Sequence, residues 1–228
     1  TRHLVNKIFG ERHTIYAQIE SVVSWNSAAL GTASMKFEEN FSKGKIRKMI
    51  NRVHKKGVLL WQETHMNQQV ASKIQQCEPN IAIAFTAPNS TYSYGSAIIW
   101  SRHRFGDFSW AQVVLPGCIV AAGLNTGEGE VTLISAYLPV HGCKEAFETL
   151  RKYVNGLTMH EILIVGGDFN YGGGGSAYEE GVQFTMASLG LRPTLQRGNC
   201  EGTLRSGMKK THLDEIFVKH PGVSNGAK

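Results

Sequence analysis

The stretch 162-ILIVGGDFNYGGGG-175 decides how the rest of the chain is read. Ile162 to Val165 form a short continuous apolar run, the pattern of a strand covered on both faces. Gly166 and Gly167 follow, and then Asp168, Phe169 and Asn170 at the carboxyl end, where a strand leaves the core and its side chains can reach a ligand. Gly, Asp and Asn are equally the ordinary residues of a turn. By itself the stretch therefore supports either a turn or an active site.

Outward from it, the chain offers many short strand patterns. Residues 17–25 (AQIESVVSW), 58–62 (VLLWQ), 80–85 (NIAIAF), 96–101 (SAIIWS), 111–115 (AQVVL), 118–124 (CIVAAGL), 131–138 (VTLISAYL), 162–167 and 215–218 read as strands. Amphipathic spacing predicts helices at about 35–56, 66–77, 143–155 and 178–189, with Gly57 ending the first. Strand and helix alternate at both ends of the chain, and the middle block reads as antiparallel. Strands so numerous, flanked by amphipathic helices, predict an α/β fold of two packed sheets with helices outside.

The 228 residues carry no repeat and no Pro- or Ser-rich linker, which points to one domain, with 1–16 as an N-terminal extension and 17–228 as the folded unit. No apolar run approaches the roughly 20 residues that span a bilayer, so no membrane partner is expected. Cys77, Cys118, Cys143 and Cys200 include no C-x-x-C pair, which argues against a zinc site or disulfide framework and for free thiols in a reducing, intracellular compartment.

The net charge of +6 and pI near 9.2 favour a polyanionic partner, nucleic acid first. In the densest basic segment, 43-KGKIRKMINRVHKK-56, Ile46, Met49, Ile50 and Val53 recur at helical spacing and leave Lys and Arg on the other faces. That face is either simply solvated or a binding stripe. The chain begins at Thr1 and ends on 223-VSNGAK-228, which reads as a domain cut from a longer polyprotein.

Several segment ends carry polar residues of similar kind: 24-SWN-26, 61-WQETH-65, 135-SAYLP-139, 166-GGDFN-170 and, near the C-terminus, 211-THLDEIFV-218. Singly, Asn26 reads as a cap or turn, Glu63 as surface, Tyr137 as core and Asp214 as a charge at a strand start. Jointly they supply acids for a hard cation, amides and a phenol, all where one cleft could collect them.

This ordered series resembles the endonuclease/exonuclease/phosphatase superfamily over about residues 17–228. Within it, 95-GSAIIWSR-102 and 202-GTLRSGMKKTHLDEIFV-218 look most like the endonuclease domains of non-LTR retrotransposons. The resemblance implies a four-layer α/β/β/α sandwich of two mixed sheets and a Mg²⁺-dependent phosphodiester hydrolase, with Mn²⁺ as an alternative metal. It implies a DNA substrate in preference to RNA, and a nuclear location for a retroelement. Position by position, it makes Glu63 the metal ligand and Asn26 a residue orienting that shell or touching the phosphate. Asp168 would position or deprotonate the attacking water and Asn170 would bond the scissile phosphate. Tyr137 would donate to a non-bridging phosphate oxygen or help the leaving group, and Asp214 would orient a catalytic histidine. The glycines 172–175 would let the backbone turn away.

Two departures stand against the pattern. Ala28 occupies a place where related abasic-site enzymes carry an acid, and the closing Ser-Asp-His is absent, with 224-SNG-226 instead. The expectation is that the last strand lies beyond this chain. His65, His141 and His212 adjoin motif positions without matching the histidine's place. Two other readings follow: a catalytically degenerate member of the same fold that binds RNA or DNA, for instance as a ribonucleoprotein subunit in the nucleus or mitochondrion, and a phosphatase or phospholipase. No lipid-directed loop supports the last of these.

Overall fold

The computed structural model describes residues 4–6, 19, 21–27, 44–89, 94–126, 129–157, 162–194, 204–206, 209–211 and 214–219. The first half of the chain builds one sheet. Strand β1 (Leu4–Asn6), which lies within the expected extension, pairs antiparallel with β2 (Ser21–Asn26). Helix α1 (Lys45–Lys56) then leads without a loop into β3 (Gly57–Gln62), which lies parallel to β2 with Asn26 beside Gln62. Helix α2 (Gln68–Cys77), capped by the Asn67 side chain on the Val70 N–H, precedes β4 (Ile81–Thr86) and β5 (Ser96–Ser101). The sheet order is β1-β2-β3-β5-β4. Residues 35–43 of the first predicted helix lie outside the described residues.

A short helix, α3 (Arg102–Phe105), joins this half to the second, where β6 (Trp110–Leu115), β7 (Ile119–Asn125) and β8 (Glu130–Tyr137) form an antiparallel meander. Helix α4 (Cys143–Gly156) crosses over to β9 (Ile162–Asp168), which is parallel to β8 with Tyr137 beside Asp168. After α5 (Tyr171–Ser188) come β10 (Arg192–Pro193), a hairpin of β11 (Leu204–Ser206) with β12 (Lys209–Thr211), and β13 (Asp214–Lys219). The second sheet runs β10-β13-β9-β8-β7-β6, and Asp214 faces Asp168 across an antiparallel pair. Both sheets are mixed, and each holds one parallel pair linked through a helix, as parallel strands require.

Three apolar layers follow from strand alternation. Val23, Trp25, Leu59, Trp61 and Ile99 face outward onto Ile46, Ile50 and Val53 of α1 and Val70 and Ile74 of α2. Val22, Leu60, Ile98, Leu133, Ile164 and Ile216 fill the space between the sheets. Ile134, Ala136, Leu163, Val165 and Phe217 pack under Phe147 and Leu150 of α4 and Val182 and Met186 of α5. The architecture is an α/β/β/α sandwich.

The run 172-GGGG-175 does not turn the chain away, contrary to the sequence expectation: it lies in the first turns of α5. Glycine in a helix costs about 1 kcal/mol relative to alanine. The buried Tyr178, Val182 and Met186 further along the helix offset that penalty. The change of direction falls two residues before the run, at Asn170, whose φ of 48° is a left-handed conformation that Asn tolerates.

Candidate active site at the carboxyl ends of two parallel strand pairs

Along each parallel pair, every second side chain points between the sheets, and the last one reaches the open end of the sandwich. On β2 this series is Val22, Ser24, Asn26; on β3 it is Val58, Leu60, Gln62; on β8 it is Leu133, Ser135, Tyr137; on β9 it is Ile164, Gly166, Asp168. The apolar interior thus turns polar over the final two rungs. The two glycines before Asp168 are spatial necessities. A Cβ on Gly166 would lie 2.5 Å from Leu60 Cδ1 of the facing sheet, and one on Gly167 would lie 1.8 Å from the Ala136 carbonyl oxygen.

At the open end, the Asn26 side-chain amide bridges two acids, donating from Nδ2 to Glu63 Oε1 at 3.0 Å and to Asp168 Oδ2 at 2.5 Å. Glu63 is half-buried, whereas Asp168 is only 1% exposed. The other Asp168 oxygen accepts the Asn170 backbone N–H at 2.9 Å. Burial drives the Asp168 pKa up and the nearby Glu63 carboxylate adds to this, while the bonds from Asn170 and Asn26 act in the opposite sense; together they hold it at about 7. Tyr137 is buried, and burial together with the Glu63 and Asp168 carboxylates pushes its pKa far above the phenol range, so its hydroxyl keeps its proton. The Asn170 side chain donates to the Leu138 carbonyl at 2.6 Å. Of Asp214 the structure gives its backbone place opposite Asp168; its side chain, Ala28, His212 and 224-SNG-226 lie outside the described residues.

Among the described residues, three non-glycine residues have positive φ, and all belong to this rim: Glu63 at 52°, His65 at 47° and Asn170 at 48°. For Glu and His such a conformation costs about 1–2 kcal/mol and persists only where the surroundings enforce it. The enforcing contacts are visible. Ser27, itself buried, sets its hydroxyl 2.8 Å from the Glu63 carbonyl and donates its N–H to the Gln62 carbonyl at 3.1 Å. Thr64 and His65 donate their N–H groups to the Gly95 and Tyr94 carbonyls at 3.3 and 2.7 Å. The His65 ring stacks on Tyr94 with centroids 5.0 Å apart, and Tyr94 in turn lies 5.7 Å from the Tyr137 ring.

Asn26, Glu63, Asp168 and Asn170 are thus drawn together by hydrogen bonds, with the Tyr137 ring beside them. Sequence reasoning does not single out Ser27, Tyr94, Ser24, Ser96 or Ser135. Ser24 and Ser135 are reachable by counting back two residues from Asn26 and Tyr137, since strand alternation places them on the same face. Among the described residues no group of three or more His, Cys, Asp or Glu side chains is gathered as a ready metal cluster. The donor set at Asn26, Glu63 and Asp168 is nonetheless all oxygen on the carboxylate side, which suits Mg²⁺, a hard cation usually held by one or two carboxylates and completed by water.

The chain has the endonuclease/exonuclease/phosphatase fold. Neither a protein-family model nor a curated protein matches it by sequence. Among solved structures it is similar to D. rerio TDP2 complexed with single strand DNA product, at 12% identity and TM-score 0.60, covering 89% of this chain and 84% of that one. It is also similar to the endonuclease domain of TRAS1, a telomere-specific non-LTR retrotransposon, at 18% identity and TM-score 0.56, covering 87% and 84%. The AP endonuclease LMAP from Leishmania major aligns at 13% identity and TM-score 0.65, covering 87% and 78%. At these identities the likeness is one of fold.

Proposed function

We propose that this chain is a metal-dependent phosphodiester hydrolase that nicks DNA, acting as the endonuclease of a retroelement. The observation that carries the reading is the Asn26 amide joining Glu63 of one sheet to Asp168 of the other. Two acids brought that close at the end of a sandwich are electrostatically unfavourable without a compensating cation, and such arrangements are typical of functional sites. Glu63, with Asp168 beside it, would hold Mg²⁺ or Mn²⁺. A bound ion there would supply charge neutralisation at the phosphate.

The remaining roles follow from the residues themselves. Asp168, buried beside Glu63 and bonded by Asn26 and the Asn170 N–H, would position or deprotonate the attacking water. Tyr137 stays protonated and can donate a hydrogen bond to a phosphate oxygen. Asn26 fixes the two acids relative to one another, Asn170 sets the turn out of β9, and Asp214, whose backbone pairs with that of Asp168, would orient a further group. The net charge of +6 favours a polyanion, and lysine and arginine contacts to phosphate would make binding salt-sensitive without reading sequence.

The test is relaxed-plasmid formation from supercoiled DNA with Mg²⁺ and with EDTA. Nicking that requires the metal and falls at least about 100-fold in Glu63→Gln, with unchanged melting, is the expected result. A second reading, a catalytically silent member of the fold that binds nucleic acid, draws on the exposed Arg47 and Lys48 of α1. It would be supported by DNA or RNA binding that is lost on charge reversal of Arg47 and Lys48 while neither wild type nor Glu63→Gln nicks.

A further inference from the structure

Directly beneath the candidate active site, four fully buried polar side chains form one chain of hydrogen bonds across the gap between the sheets. Ser24 Oγ donates to Gln62 Oε1 at 3.2 Å, and Gln62 Nε2 donates to Ser135 Oγ at 3.1 Å. Ser96 Oγ lies 2.7 Å from Ser135 Oγ and 3.0 Å from the Ser135 carbonyl oxygen. Gln62 and the Ser96 and Ser135 hydroxyls are all but inaccessible to solvent. Ser24, Gln62 and Ser96 belong to the first sheet and Ser135 to the second, so the chain ties β2, β3 and β5 to β8.

We infer that Ser24, Gln62, Ser96 and Ser135 are positioning residues that set the alignment of the two sheets at the cleft. The half-sites need such a device. Asn26 and Glu63 stand on one sheet, and Tyr137 and Asp168 on the other, so the distance across the site is the distance between sheets. Apolar contact between sheets is non-directional and tolerates small slides, whereas a hydrogen bond weakens steeply with misalignment. Three of the four sit next to, or two residues before, a site residue: Ser24 before Asn26, Gln62 before Glu63, Ser135 before Tyr137. A shift in the polar chain is therefore passed on through one rung of strand. An apolar filling of equal volume would serve stability about as well, because replacing every partner of a buried hydrogen bond together leaves no orphan group. Burying four polar groups here is explained by the geometry they impose.

The inference rests on the hydrolase reading for its kinetic consequence but not for its structural one, and the experiment separates the two. Gln62→Met alone leaves the hydroxyls of Ser24 and Ser135 short of a partner and melts lower. The triple variant Ser24→Ala, Gln62→Met, Ser135→Ala removes those orphans and recovers most of the wild-type melting temperature. In plasmid nicking with Mg²⁺, the triple variant loses about 10- to 100-fold in kcat, the scale of a misplacement of about 1 Å, with KM changed less than about 3-fold. Independently of activity, the Asn26 side-chain NH₂ resonance shifts and its hydrogens exchange faster in EDTA, because its two acceptors have moved apart. A merely structural role predicts that kcat and the Asn26 resonance return together with the melting temperature, and that result overturns the inference. Should the wild type not nick at all, the hydrolase reading falls and the Asn26 resonance alone decides: moved, the inference stands; unmoved, it is overturned. Where the triple variant does not fold, Ser135→Ala, the smallest deletion at the centre of the chain, is measured by the same two readouts: a displaced Asn26 resonance with reduced kcat upholds the inference, and wild-type values of both overturn it.

Discussion

Asp168 should make the metal-free protein lose stability as pH rises, and substitution by Asn should remove that loss. Its pKa is raised from the ordinary 3.8 to about 7 in the fold, first by burial and further by Glu63. A group whose folded pKa is raised stabilises the native state fully below the unfolded value and loses that contribution as pH climbs through the folded value. The whole difference corresponds to about 4 kcal/mol at 1.36 kcal/mol per pH unit. Only part of it falls in an accessible window: between pH 5 and pH 8, integrating the two titrations gives a loss of about 2.5 kcal/mol. Against a typical total stability of about 5–15 kcal/mol, this is easily measured. Urea unfolding in EDTA at half-unit steps from pH 5 to pH 8, for wild type and Asp168→Asn, gives the difference curve directly. Asp168→Asn should unfold with a pH dependence flatter by about 2–3 kcal/mol over that window. Parallel curves would refute the reasoning, since they would mean that Asp168 is already ionised at pH 5 despite its burial.

Mg²⁺ should counter the same effect: added ion raises the melting temperature more at pH 8 than at pH 5, where protons compete for Asp168, and Glu63→Gln abolishes the increment, as differential scanning fluorimetry would report. Gly167→Ala places a methyl 1.8 Å from the Ala136 carbonyl oxygen within the parallel pair, so a loss above about 3 kcal/mol or failure to accumulate as soluble protein is expected. Gly181→Ala, in the middle of α5 with nothing within 4 Å of the new methyl, should instead stabilise by about 0.5–1 kcal/mol in chemical denaturation. Ser27→Ala frees the Glu63 carbonyl and should cost about 1 kcal/mol, read from the midpoint of the same denaturation curve.

Most of the strands were legible from their apolar residues: 58-VLLWQ-62 and 162-ILIV-165 are continuous runs buried on both faces, and the antiparallel middle follows from its closely spaced strands. The site was legible as a set of polar residues at strand ends. Its internal wiring was not, because the Asn26 bridge depends on the separation of two sheets whose residues lie 142 positions apart. The helical course of 172-GGGG-175 ran against local propensity, which tertiary packing of Val182 and Met186 overrides. Strands of two or three residues, such as β1 and β10, carry too few side chains for any period to show. The left-handed backbone at Glu63 and His65 has no compositional signal, since neither residue favours it.

Each sheet of the sandwich is drawn from one uninterrupted part of the chain, residues 4–101 for the first and 110–219 for the second. Phe108 still packs on Trp100 of the first, whereas the Ser109 N–H already bonds the Gly123 carbonyl of the second. A break of the backbone between Phe108 and Ser109 would thus sever no strand ladder among the described residues, yet would divide Asn26 and Glu63 from Tyr137, Asp168 and Asn170. Neither piece alone would hold the whole candidate site, and each would present a bare apolar face that only the other covers. On the proposed hydrolase reading, the two pieces fused to partners that associate on demand would make nicking a reporter of that association, because assembling the complex and assembling the catalyst would be one event.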